Sequence, residues 1–288
     1  MRKEYKSLLS HLSSILSARA SIVRLKINGV CVNKCVFCPF HNDRHLLEPK
    51  DLSYFFGMIE KPAFQWIGIS GGEPTIHPRF LEICDFLKER FKDHVLLALS
   101  TNLIPLSRSF GRYPRTYRTV LELFDRLEVG CDDEHKNIDV LEALAPAIIE
   151  SGLSLNVNVM ASYCSDRTRH RILALQDRLN LHISFSEVHH CMAPLPFVND
   201  ISAPCRHLVQ YFMLHNNGDG FFCFLQEMEK PLFNLFTVTK EQLNYYLNEH
   251  VPKSYRFCVS CPTYRPEGLL QRLPGRDLPI RLLRKVLT

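Results

Sequence analysis

The sequence predicts an α/β fold built on a parallel sheet or barrel, and three observations predict it. Strand-like and helix-like hydrophobic periods alternate from Ser21 to Val188. The strand-like runs keep one apolar face and one small or polar face. The chain's most distinctive side chains sit where those runs end, as they do in barrels that react at the C-terminal ends of their strands.

The elements follow in order. "SIVRLKIN", Ser21 to Asn28, places Val23, Leu25 and Ile27 on one face and Arg24, Lys26 and Asn28 on the other, as a strand does. Five further strands are expected at "FQWIGISGG", "HVLLALSTN", "RLEVGCDD", "LSLNVNVM" and "LHISFSEV". Helices are expected at Glu48–Glu60, His77–Phe91, Pro114–Asp125, Asn137–Ser151 and Arg167–Asn180. Six strands alternating with helices imply right-handed parallel crossovers. The apolar faces are Ile67/Ile69, Leu97/Leu99, Leu127/Val129, Leu155/Val157/Val159 and Ile183/Phe185. The opposite faces are Gly68/Ser70, Ala98/Ser100, Glu128/Gly130, Ser154/Asn156/Asn158 and His182/Ser184/Ser186. A dry core would not choose that second set; it would line a cavity holding a polar ligand.

Composition bounds the function. The 288 residues are 46% hydrophobic, enough for one large domain or one domain with a small appendage. A formal charge of +5 is mild, and nucleic acid is not an expected partner. No apolar run reaches the length of a membrane span, and "SLLSHLSSILSARA" lacks a secretory core, so a cytoplasmic location is expected. Residues 1–20 read as an amphipathic packing helix, with a mitochondrial presequence as the alternative.

Eleven cysteines without a secretion signal point to metal or redox chemistry. Seven fall into two groups, Cys31/Cys35/Cys38 and Cys205/Cys223/Cys258/Cys261; Cys84, Cys131, Cys164 and Cys191 stand alone. A Cys-x2-Cys pair is expected by chance roughly 0.4 times in such a chain, a Cys-x3-Cys-x2-Cys triplet about 0.02 times. The triplet is therefore the signal. Zinc would want a fourth ligand nearby, which His41 keeps open.

The triplet, with Phe37 before its last cysteine and "SGGEP" (Ser70–Pro74) closing the second strand, resembles the radical S-adenosylmethionine (radical SAM) superfamily. That resemblance covers roughly Ser21 to Val188 and implies a partial (β/α)6 TIM-like barrel over residues 21–195. It implies that Cys31, Cys35 and Cys38 hold a [4Fe–4S] cluster whose fourth iron is open to SAM. Reductive cleavage of SAM would give a 5′-deoxyadenosyl radical that abstracts a substrate hydrogen, chemistry that the protein orients. By the same resemblance Phe37, Gly71, Gly72, Glu73, Ser100, Asn102, Asn156 and Asn158 would bind SAM. Asp132, His189, His190 and Cys191, at the ends of the fourth and sixth strands, are the candidate catalytic residues.

The second cysteine group begins after a proline-rich stretch. "HNNGDG" between two apolar runs reads as a hairpin turn. Four thiols make a closed set that suits structural zinc or a saturated cluster equally. Cys205-x12-Gly218-x4-Cys223 with Cys258-x2-Cys261 resembles the auxiliary-cluster extension of SPASM/twitch enzymes, in the shorter form with one auxiliary [4Fe–4S] cluster, over residues 200–265. Residues 266–288 form a basic tail. Small twitch enzymes of this spacing resemble aminocyclitol-type radical SAM dehydrogenases. The expected activity is thus oxidation of a small hydroxylated substrate, with a flavodoxin- or ferredoxin-type electron donor. A peptide maturase or epimerase with the same cofactors is the alternative, as is an RNA modifier; a non-catalytic zinc or Fe–S module is the alternative of another class.

Overall fold

A computed structural model of the chain describes residues 22–38, 43–59, 64–92, 94–107, 114–186, 211–221 and 231–247, all within one compact unit. Its spine is a parallel run of strands in spatial order β1 (Ile22–Lys26), β4 (Trp66–Ser70), β5 (Leu96–Thr101), β6 (Arg126–Gly130), β7 (Ser154–Met160) and β8 (His182–Ser186). These are the six strands expected from the sequence, and the architecture is the mixed α/β arrangement of a partial TIM-like barrel. Between them lie α1 (Pro49–Met58), α2 (Phe80–Phe91), α3 (Pro114–Leu123), α4 (Ile138–Glu150) and α5 (Asp166–Leu179), each within a few residues of its expected bounds.

The helix-facing side is apolar. Val23, Leu25, Ile67, Ile69, Leu97, Leu99, Leu127, Val129 and Val157 are all fully buried there. The helices return matching stripes, Ile83, Cys84, Leu87 and Phe91 on α2 and Leu141, Leu144, Ala145 and Ile148 on α4, at helical spacing. Local signals set the ends. Glu48 and Asp51 form a capping box around Pro49 at the start of α1. Ser165 caps α5 through the Thr168 N–H, and Asn180 ends it at φ 53°.

The other side of the sheet is concave. Arg24 on β1 reaches Glu128 on β6 at 2.6 Å although β4 and β5 stand between them. In a flat sheet those strands would lie about 14 Å apart. The two side chains meet because the sheet curls and because Gly68 and Ala98, the residues in register with Arg24, leave the path clear.

Two features were not expected. A short ribbon, β2 (Asn28–Gly29) with β3 (Asp43–Leu46), brackets the triplet loop. The "HNNGDG" turn does form a hairpin, β9 (Tyr211–Leu214) with β10 (Asp219–Phe221), but β9 also pairs in parallel with β1 and so extends the main sheet. Phe212 stacks between Phe55 and Phe233 at 5.9 and 5.7 Å, carrying the core under β11 (Phe233–Asn234). A last short helix, α6 (Lys240–Tyr245), starts from a Thr239–Gln242 capping box. Among the described residues no helix is long and apolar enough to cross a membrane.

Candidate functional site

The triplet loop leaves β1 and is sewn to the turn after β4. The N–H groups of Gly72 and Glu73 donate to the carbonyls of Asn28 and Val30, each at 2.8 Å. A Cβ on Gly71 would lie 2.3 Å from Asn28 Oδ1, and one on Gly72 2.2 Å from the Val30 carbonyl. Gly71 also sits at φ 157°, so the pair is required by the close passage of two backbones. The loop's far side rests on the turn after β6. Asn33 Nδ2 donates to the His135 carbonyl at 2.8 Å, and the Val36 N–H donates to the Glu134 carboxylate at 3.1 Å.

This brings the three thiols to one place. Cys35 is buried beside Phe37 and Met160, with Cys38 and Tyr163 packed against that group. The Cys38 N–H closes a turn on the Cys35 carbonyl at 3.0 Å. Burial raises the Cys31 thiol, against N–H donors from Asn33 at 3.4 Å and Asn102 at 3.6 Å that favour its thiolate. Burial pushes Cys35 up to about 12, helped by the charges of Asp132 and of the other two thiols. A proton would have to leave each sulfur as metal binds. Among the described residues no three His, Cys, Asp or Glu side chains converge closely enough to hold a single ion. In a cluster each thiolate sits on a different iron, and three neighbouring thiols with N–H donors aimed at one sulfur fit such a group.

Glu73 is wholly buried. Its carboxylate accepts from Thr75 N and Oγ1, Thr101 Oγ1 and the Asn102 N–H, at 2.6 to 3.2 Å. Burial raises its pKa, against the hydrogen bonds from Thr75, Asn102 and Thr101. The carboxylate therefore ties the end of β4 to the end of β5. Asn102 is equally engaged: Nδ2 faces Cys31, Oδ1 accepts from the Ile104 N–H at 3.0 Å, and its carbonyl accepts from Asn137 at 2.8 Å. Ser100 Oγ donates to Glu128 at 3.0 Å. Asn156 and Asn158 line the concave face on β7, half-buried and exposed respectively.

Phe37, 3% exposed, tilts against His135 and Tyr163 with ring centroids 5.6 and 5.0 Å away. Asp132 follows β6 at 1% exposure. Its side chain is buried, and Oδ1 takes the N–H groups of Glu134 and His135 and the His135 ring at 2.8 Å. The group that this aspartate presents is His135, whose Nε2 would lie 2.6 Å from a Cβ on Gly130. Sequence reasoning missed His135, although "GCDDEHKN" directly after a strand was the signal. It also missed the Arg24–Glu128 pair, for want of any local mark that two strands so far apart in sequence would meet. Glu128 stays below the usual carboxylate range; burial opposes this, and Arg24, Ser100 and Arg126 outweigh it. Cys84 and Cys131 are buried and Cys164 is half-buried. His189, His190, Cys191, Cys205, Cys223, Cys258 and Cys261 lie outside the described residues.

No family model matches the sequence, and no curated protein matches it. Solved structures do. The structure of anSMEcpe with bound AdoMet and the Cp18Cys peptide is similar with a TM-score of 0.54 and 12% identity, covering 82% of this chain and 87% of that one. The structure of BtrN with AdoMet and 2-DOIA is similar with a TM-score of 0.50 and 14% identity, covering 84% and 92%. Both neighbours are radical SAM enzymes. The likeness is one of fold.

Proposed function

We propose that this chain is a radical SAM enzyme whose Cys31, Cys35 and Cys38 hold a [4Fe–4S] cluster, and that it oxidises a small hydroxylated substrate. The observation that carries the reading is the triplet loop itself. Three thiols, Cys35 buried and Cys31 and Cys38 half-buried, gather at the C-terminal mouth of a parallel barrel, with N–H donors on Cys31 and an aromatic beside the last cysteine. Cluster and SAM together supply reductive cleavage of the sulfonium and abstraction of a substrate hydrogen.

The chain's own residues do the rest. The Asn28–Val30 and Gly71–Glu73 backbones fix the loop, and Phe37 with Tyr163 forms an aromatic wall at its inner side. By resemblance, Phe37, Gly71, Gly72, Glu73, Ser100, Asn102, Asn156 and Asn158 are proposed to surround the SAM site. The concave face, with Ser100, Glu128, Asn156 and Asn158, offers hydrogen-bond partners to a hydroxylated ligand. Cys205, Cys223, Cys258 and Cys261 are proposed to hold a saturated auxiliary cluster of twitch type, fed like the first by a flavodoxin- or ferredoxin-type donor. Cys191, His189 and His190, which follow β8 in sequence where a substrate would meet the radical, and Asp132 after β6 remain the proposed catalytic residues. A peptide substrate is the second reading, favoured by the peptide in the anSMEcpe structure.

The test is 5′-deoxyadenosine release from SAM by anaerobically reconstituted, reduced protein. Release by the native chain and none by a Cys31/Cys35/Cys38→Ala variant is expected. Bound zinc, no iron and no release would sink the reading.

A further inference from the structure

Resting on the reading that the triplet holds an iron–sulfur cluster, we propose that Asn102 tunes that cluster's reduction potential by donating its side-chain amide hydrogen to the Cys31 sulfur. Asn102 Nδ2 stands 3.6 Å from Cys31 Sγ. Its orientation follows from the other end of the amide. Oδ1 accepts from the Ile104 backbone N–H at 3.0 Å, and a backbone N–H can only donate. The oxygen must face Ile104, so the NH2 group must face the sulfur.

The donor is held from every side. Asn102 is 5% exposed. Its N–H is bound by Glu73 Oε2 at 2.7 Å, and its carbonyl is bound by Asn137 Nδ2 at 2.8 Å. Asn137 also donates to the Gly130 carbonyl at 2.8 Å, so Asn102 is clamped between the turn after β4 and the end of β6. The buried Glu73 carboxylate holds the Asn102 N–H and also bears on Cys31 through its own charge.

The Cys31 and Cys35 sulfurs consequently differ in their surroundings. Cys31 faces two N–H donors, from Asn33 and Asn102. Cys35 instead points its thiol at the Glu134 carbonyl, 3.6 Å away, in the field of Asp132 and Glu134. Reduction adds one electron and hence one negative charge, shared by the sulfurs. An N–H···S bond strengthens as that charge grows, so it favours the reduced state. Asn33 donates from within the loop, next to Cys31 itself. Asn102 comes from a separate strand and can be changed without altering the loop sequence.

The experiment is a redox titration monitored by electron paramagnetic resonance (EPR) on the full chain, reconstituted anaerobically without SAM. It follows the signal that disappears in a Cys31/Cys35/Cys38→Ala variant. Asn102→Asp keeps an acceptor for Ile104 and removes the amide donor; Asn102→Ala removes both. Both variants are expected to bind native amounts of iron. At a fixed potential the reduced-to-oxidised ratio should fall about tenfold in Asn102→Ala, or about 59 mV for a one-electron couple, and further in Asn102→Asp. Native iron content with an unchanged midpoint in both variants overturns the proposal. Loss of iron in both would make Asn102 a structural residue and overturn it too. A native chain that takes up no iron fails the cluster reading itself, and shows this before any variant is made.

Discussion

The two buried regions of this molecule are built from opposite materials. The shell between sheet and helices is largely apolar, from Val23 and Leu25 on β1 to Ile172 and Leu175 on α5. The mouth of the barrel is as deeply buried, yet Asn28, Glu73, His77, Asn102, Asp132 and Asn137 lie there. An apolar shell gains stability from area removed from water and tolerates small rearrangement. Buried polar groups add little net stability even when fully hydrogen-bonded, and each is costly when left unpaired. What they add is position: Glu73 and Asn137 fix Asn102, Asp132 fixes His135, and Asn28 Nδ2 donates to the Glu73 carbonyl at 3.0 Å. A fold that needed only stability would not spend its deepest sites in this way.

Substitutions in the two regions should therefore differ in kind. The largest loss of stability is expected in the shell. Leu25→Ala should cost about 2–5 kcal/mol in chemical denaturation while leaving iron uptake at a permissive temperature intact. In the mouth, Glu73→Leu leaves Thr75, Thr101 and the Asn102 N–H without their acceptor and should cost about 1–3 kcal/mol. Its distinguishing effect should be lost iron at a temperature where Leu25→Ala retains it. Gly72→Ala, pressed against the Val30 carbonyl, should cost about 1–3 kcal/mol and displace the triplet loop, read as faster hydrogen exchange over residues 28–38. Equal iron uptake by the shell and mouth variants would erase the distinction.

Much of the shell was legible in the sequence because its signal is local and repeated. The alternation in "LSLNVNVM" becomes β7, and the apolar period of Asn137–Ser151 becomes α4. The triplet was legible through its spacing. The rest was not, since it depends on where distant strands meet. Nothing local to Glu73, expected by resemblance at SAM, shows the N–H and hydroxyl groups around Thr101 that close over it. Asn102 resembles a nucleoside contact in sequence, and only the structure shows its amide against Cys31. The two-residue strand Asn28–Gly29 is too short to show any alternation, and the parallel docking of β9 on β1 has no local mark.

The smallest expected effect concerns acid. Asp133 is held below its ordinary value; its partial burial would raise it, and hydrogen bonds from Thr168 and Ser165 outweigh that. A carboxyl lowered in the folded state contributes stability that is fully present above its unfolded value, near 3.9. That contribution is lost as pH falls through the lower folded value. Asp133→Asn should lower stability at neutral pH, where the carboxylate's contribution is fully present, and flatten the acid limb of the stability curve. An acid limb as steep as the native one would remove Asp133 from the account.

The central claim is that three cysteines hold a cluster with one iron left open. It is tested most directly by recording the EPR spectrum of the reduced, reconstituted chain before and after adding SAM. A change in the triplet-dependent signal is expected, because SAM would bind at the open iron. An unchanged spectrum at saturating SAM, with the triplet fully loaded, would contradict the claim.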